Sequence, residues 1–247
     1  MTDEEGNTAL HKRAFAGESV DGDLQNIYGL TPSEIAKYLK IGQGRGVPIF
    51  RKKSASFDEM DAAEFESHFG VKYLEHLSFR DGKILQKMLR LTARKEHLIE
   101  QENAWNCALY KKAWEEKRMP DVVLKWINPH IGYGIFAKND IPALTYIGEY
   151  TGIIRPRKRV FRDNNNYTFG YVIGPHNTPY VIDAQKAGNF TRFLNHSDEP
   201  NLTSRWLIAD GLCHIIFYAN RLIPIAEQLT YDYGPLYWKH RPLPVII

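Results

Sequence analysis

Two stretches decide how this chain reads: GNFTRFLNHSDEPN at residues 188–201 and QLTYDYG at 228–234. The first brings an arginine (Arg192), an aromatic (Phe193) and the Asn195–His196 pair together within a few positions, then turns on Ser197, Asp198, Pro200 and Asn201. A guanidinium suits a carboxylate, whereas Asn and Ser also serve simply as turn residues. The second stretch sets Tyr231 and Tyr233 on either side of Asp232.

Working outward, residues from about 120 onward alternate short β-branched and aromatic runs with clusters of Gly, Pro and Asn. The runs are VVLKWI (122–127), YGIFA (133–137), LTYIGEYTGII (144–154), YTFGYVI (167–173), YVIDA (180–184) and CHIIFYA (213–219). This spacing predicts a β-rich domain of short strands. The alternation of strands with helices that a doubly wound nucleotide fold requires is missing, as is its glycine-rich first turn.

The first 119 residues have a different texture. GNTALHKRAFAG (6–17) and GLTPSEIAKYLK (29–40) each open a helical pattern on a glycine and a threonine turn, and Pro32 stands at a first helical position. The outline is weakly similar to ankyrin repeats, but Gly6 and Gly29 are 23 residues apart where a repeat period is about 33. A small helical cap over 1–57 is the expectation. IGQGRGVP (41–48) lacks the spacing of a phosphate loop and reads as a link. Residues 58–119 read as helical, and Asp81-Gly82 opens one long amphipathic helix. Its stripe is Ile84, Met88, Leu91, Leu98, Trp105 and Leu109, and Met119-Pro120 ends it. The third region is 120–247.

Bulk properties narrow the function classes. The net charge is +3, too mild to argue for nucleic acid by itself. Local basic clusters stand out at Arg155, Arg157, Lys158, Arg159 and Arg162, and at Lys239, His240 and Arg241. The two cysteines, Cys107 and Cys213, can build neither a disulfide framework nor a four-thiolate zinc site, and read as small apolar residues. No run is long and apolar enough for a membrane helix, and the N-terminus lacks the apolar core of a signal peptide.

Taken with Gly132-Tyr133-Gly134 in IGYGIFAKNDIP and Tyr150-Thr151-Gly152 in YIGEYTG, the two deciding stretches resemble the SET domain of protein-lysine methyltransferases. YIGEYTG and YGPLYWKHR are similar to SET proteins of chlamydiae in particular. The resemblance implies an α+β fold: a β-rich SET domain of short strands with a pseudoknot, preceded by an α-helical N-terminal region. It also implies S-adenosyl-L-methionine as methyl donor and no metal.

The same resemblance assigns residues. Gly132, Tyr133 and Gly134 would bring backbone close to the cofactor, since glycine has no side chain in the way. Tyr167 and Arg192 would hold its methionine end, Phe193 would belong to the same cofactor site, Asn195 and His196 would bond its polar groups, and Trp238 would cover it. Tyr233 would stand at the methyl-transfer axis, Tyr150 would line the lysine channel, and Tyr231 would restrict the product to mono- or di-methylation. Asp198 stands where many members carry a cysteine and no cysteine follows Cys213, so no post-SET zinc site is expected and GPLYWKHRPLP (234–244) must supply the lid. Ile153 replaces a glutamate that is common in the family.

The expected partner is a basic protein, a histone or histone-like protein, with nucleic acid reached through it. Glu149, Asp183, Asp198 and Asp232 are candidates to offset the basic run near the site. A homodimer through the N-terminal helices is a further expectation. The expected compartment is the bacterial cytoplasm, or a host cell (its nucleus included) after export without a cleaved signal. The rival reading is a cofactor- or chromatin-binding module that does not turn over.

Overall fold

Short polar caps set out the helices of the N-terminal region, which also holds strands that the helical reading of 1–119 did not expect. Ile49–Lys53 and Ser56–Met60 pair antiparallel beside Val122–Asn128, and Lys72–Tyr73 and Ser78–Phe79 pair with strands of the C-terminal half. A computed structural model describes residues 1–40, 49–53, 56–158 and 165–238. The IGQGRGVP link, Arg159 and Arg162 of the basic run, and Lys239 onward, with most of the expected lid, lie outside the described residues. Helix α1 (Ala9–Phe15) is capped reciprocally by Thr8 and His11, α2 (Pro32–Leu39) by Thr31 and Glu34, and α3 (Ala62–Phe69) by Asp61 and Glu64. Each box satisfies amides that would otherwise be orphaned. Asp81 caps α4 (Gly82–Glu96) through the Ile84 amide. Gly82 is required there, because a Cβ would stand 1.9 Å from the Phe15 carbonyl oxygen at the end of α1.

The long helix expected from 82 to 118 is two. After α4 the chain breaks at Ile99, which is buried against Gly174, and α5 runs over Glu100–Glu115. The apolar stripe fails in this second half: Leu98, Trp105 and Leu109 are 61%, 62% and 46% exposed, while Asn106, Tyr110 and Trp114 are buried. The physical reason is the edge strand Leu202–Ala209, whose backbone groups need partners. Asn103 Oδ1 accepts from the Ile208 amide at 2.7 Å, and Asn106 Nδ2 donates to the Trp206 carbonyl at 2.7 Å. Helix α5 thus faces the sheet with its asparagines.

From residue 122 the predicted runs hold strands, with the run 144–154 split into two, Tyr146–Glu149 and Ile153–Pro156, and with Leu202–Ala209 a strand that no run marked. Val122–Asn128 pairs antiparallel with Gly132–Ala137, and His176–Asp183 lies between Thr168–Ile173 and Ile153–Pro156. Leu212–Ala219 joins Leu202–Ala209 to Tyr146–Glu149. The two-residue strand Asn195–His196 runs parallel to Thr230–Tyr231. That pairing ties both deciding stretches together, at the crossing the resemblance describes as a pseudoknot.

One apolar core runs from Ala14 through Phe65, Leu85 and Met88 to Phe190, Phe217 and Leu229, so the N-terminal helices and the strands share it. A smaller cluster around Tyr110, Trp114 and Tyr146 seats α5. Among the described residues no helix is long and apolar enough to cross a membrane.

Candidate active site

The strand Tyr146–Glu149 delivers Tyr150, and a buried charge network fixes its end. Glu149 is 2% exposed. Its Oε1 lies 2.7 Å from His214 Nδ1, its Oε2 accepts from Trp114 Nε1 at 2.8 Å, and Lys117 Nζ stands 3.7 Å away. Burial alone would raise this carboxyl, but His214, Lys117 and the Trp114 hydrogen bond outweigh it and hold the group at about 2. The Glu149 carbonyl accepts from Asn189 Nδ2 at 2.9 Å and from Thr191 Oγ1 at 3.2 Å. These bonds fasten the short 3-10 helix Phe190–Phe193, and with it Arg192, to the residue before Tyr150.

Around Tyr150 the aromatic side chains close into a box. Phe169 lies 5.4 Å from Tyr150 between ring centroids and stacks on Tyr231 at 6.1 Å. Tyr231 also meets Phe217 at 4.8 Å and Tyr233 at 4.7 Å. Helix α6 (Pro235–Trp238) adds Tyr237, 4.6 Å from Tyr233, and Trp238, whose ring is nearly parallel to that of Tyr233. The Tyr233 hydroxyl donates to the Leu194 carbonyl at 2.8 Å, which fixes its oxygen. Burial pushes the Tyr150, Tyr231 and Tyr233 phenols above their ordinary value; neighbouring tyrosines add to this, while Arg192 opposes it at Tyr150. The box is therefore lined by neutral phenols and apolar rings at physiological pH.

The expected cofactor residues form a second group beside the box. Gly132 has φ +80° with open space on its Cβ side. At Gly134 a Cβ would meet Ile127, Gln228 and Asn195 side-chain atoms at 2.7–3.1 Å, so backbone passes close to Asn195. Asn195 Nδ2 donates to the Tyr133 carbonyl at 3.1 Å. Arg192 is buried, its guanidinium 3.8 Å over the Tyr167 ring and 4.8 Å from Phe193, and Nε donates to the Ala184 carbonyl at 2.9 Å. Burial lowers its pKa, partly offset by Tyr167 and Tyr150, and among the described residues no carboxylate pairs with it.

His196 joins the two groups. Its Nδ1 accepts from the Tyr233 amide at 3.2 Å, which leaves Nε2 to donate to Asp198 Oδ1 at 3.2 Å. Its ring meets Trp238 at 4.8 Å.

Sequence reasoning thus named residues that converge, though Tyr133 turns its ring away from the box toward α3. It missed Phe169 and Phe217, which sit inside strand runs and are indistinguishable there from core. Of the four acidic candidates, Asp198 and Asp232 are exposed beside His196, but Glu149 is interior and Asp183 is paired with Arg155 at 2.6 Å. Glu149 therefore cannot offset basic charge at the surface, whereas Asp183 does so by pairing with Arg155 of the basic run.

Residues 132–234 match the SET domain family model. These residues carry a SET domain, with a β-rich fold of short strands behind N-terminal helices. Human histone-lysine N-methyltransferase SETD2 is 35% identical over 107 residues, covering 41% of this chain and 4% of that protein. Arabidopsis thaliana histone-lysine N-methyltransferase EZA1 is 34% identical over 113 residues, covering 42% of this chain and 13% of that protein. The chain thus spans a small fraction of the length of these relatives. Among solved structures, Arabidopsis thaliana SUVH6 in complex with SAM overlaps at 26% identity and a TM-score of 0.42, over 47% of this chain and 28% of that one.

Proposed function

We propose that this chain is a protein-lysine N-methyltransferase that uses S-adenosylmethionine. One observation carries the reading: an uncharged aromatic box meets a polar, glycine-flanked group of residues at the parallel pairing of Asn195–His196 with Thr230–Tyr231. The SET match over the same residues supports it.

The residues fit the cofactor. Trp238 Nε1 is buried beside His196 and has no hydrogen-bond partner among the described residues. Arg192 is a buried cation lacking a carboxylate, and Gly134 lets backbone run where a side chain would collide. Arg192 with Tyr167 would hold the methionine end, Asn195 and His196 the polar groups, Gly132 to Gly134 the closely approached face, and Trp238 the cover. When bound, the cofactor supplies an electrophilic methyl group on a sulfonium.

The rest follows from the chain itself. Lysine in water has a pKa of about 10.4 and is protonated at neutral pH. The rings of Tyr150, Phe169, Phe217 and Tyr231 exclude water, so the charged amine is disfavoured inside the box. Because the three phenols are held neutral, none serves as base at neutral pH; the ammonium proton leaves to solvent before the amine is enclosed. Tyr233, pinned by the Leu194 carbonyl, and Tyr150 orient the neutral nitrogen for in-line attack. The Tyr231 hydroxyl, with a water it would hold, takes space that further methyls need, which favours mono- and di-methylation over tri-methylation.

The proposed substrate is a basic protein of the histone or histone-like class, in keeping with the names of the relatives. The exposed carboxylates of Asp198 and Asp232 suit a cationic chain, and with Arg155 paired to Asp183 the basic run is partly neutralised. Chlamydial affinity rests on the motifs YIGEYTG and YGPLYWKHR alone. The exposed Leu98, Trp105 and Leu109 give the homodimer an apolar surface, and light scattering on the full chain tests it. For the function itself, transfer of labelled methyl to a histone mixture should occur with the wild type and fall at least tenfold in Tyr233→Phe. Cofactor uptake without transfer by the wild type would instead mark a binding module.

A further inference from the structure

The residues that match the SET family begin at 132, yet the Tyr133 ring is gripped by a helix far earlier in the chain. His68 Nε2 and the Tyr133 hydroxyl share a hydrogen bond at 3.0 Å. Phe69 meets Tyr133 edge to face at 5.1 Å and Phe193 at 4.8 Å, and those two rings meet each other at 5.9 Å. Phe65, fully buried one turn earlier in α3, also meets Phe193, at 6.0 Å.

Tyr133 stands between Gly132, which has open space around it, and Gly134, against which Asn195 packs. Within its own sheet the Tyr133 ring meets Trp126 at 5.1 Å, and the glycines on either side add no side chain to fix the strand end. Phe193 is continuous with Arg192, whose guanidinium lies over it. The face of α3 carrying Phe65, His68 and Phe69 therefore packs on both the glycine strand and the 3-10 helix and backs the Tyr133–Phe193 contact that joins them. Edge-to-face aromatic pairs and one hydrogen bond are directional, so they fix orientation as well as distance.

We infer that His68 and Phe69 are positioning residues for cofactor binding. They act through Tyr133 and Phe193, and α3 is a working wall of the SET pocket in this chain. The inference rests on the cofactor reading above. It predicts that pre-organisation by α3 contributes affinity: a pocket whose competent state is less populated binds more weakly in proportion.

The test is calorimetric titration of S-adenosylhomocysteine into the full chain and its variants, paired with thermal unfolding of the unliganded proteins. His68 is exposed, so His68→Ala removes the hydrogen bond without emptying the core, and Phe69→Leu keeps apolar volume while losing the ring geometry. Each should weaken binding about tenfold. In turnover His68→Ala should raise the KM for cofactor by the same factor, with kcat at saturation and the melting temperature as in wild type. His68→Gln, which retains a partner for the Tyr133 hydroxyl, should restore most of the affinity. Ser67→Ala, on the exposed side of α3, should bind as wild type.

If wild type binds and both His68→Ala and Phe69→Leu bind equally well, α3 plays no part and the inference falls while the function stands. A loss of affinity that only tracks a lowered melting temperature, unrescued by His68→Gln, also overturns it. No uptake by wild type would remove the cofactor reading and this inference with it.

Discussion

Glu149 offers the sharpest test of how the fold delivers Tyr150. Replacing it with leucine leaves two interior groups without their carboxylate partner, His214, which is fully buried, and the Trp114 indole N–H, and removes the carboxylate beside the half-buried Lys117. Removing one member of a buried ion pair costs about 3–5 kcal/mol, and an orphaned buried donor about 1–3 kcal/mol. Glu149→Leu should therefore lose about 4 kcal/mol in urea unfolding, a large share of the stability of a typical domain. Glu149→Gln keeps an acceptor and should lose about half as much. In Glu149→Leu/His214→Leu the two changes should couple by about 2 kcal/mol, because no buried partner is left waiting for the other.

Acid stability has a definite sign. The carboxyl is held at about 2 against a reference of 4.5, so its contribution is complete above that reference and lost as pH falls through the folded value. The Gln variant should lack this acid limb. A Leu variant within about 1 kcal/mol of wild type, or a Gln variant with an unchanged acid limb, would refute the network's role.

Tyr231→Phe should shift product toward higher methylation in a mass-spectrometric time course, and unchanged ratios would count against the restrictive role of its hydroxyl. Gly134→Ala meets only the ends of Ile127, Gln228 and Asn195 side chains, so it should fold yet weaken S-adenosylhomocysteine about tenfold in calorimetry. Gly82→Ala drives a Cβ into the Phe15 backbone carbonyl. It should cost about 2–3 kcal/mol in thermal unfolding, with cofactor affinity unchanged in the folded fraction.

Much of this arrangement was legible in the residues. Thr31-Pro32 and Asp81-Gly82 mark helix starts because capping is local chemistry, and the β-branched and aromatic runs after residue 122 place most of the strands, Leu202–Ala209 excepted. The Asn195–His196 and Tyr231–Tyr233 stretches carry the pocket in their own spacing. What stayed hidden depends on contacts distant in sequence. The Asn103–Asn106 face of α5 answers the backbone of an edge strand about one hundred residues away, and a helical pattern holds no record of that demand. Glu149 looks like any surface acid until His214 is placed against it. Phe169 and Phe217 differ from core phenylalanines only in which side chains they face.

The most direct measurement is a crystal structure of the full chain with S-adenosylhomocysteine. The ligand should lie between the Tyr133–Gly134 strand and Asn195–His196, its carboxylate on Arg192, with the sulfur opening toward the Tyr233 hydroxyl. A ligand lodged elsewhere, or a sulfur walled off from the Tyr150–Tyr231–Tyr233 box, would contradict the account.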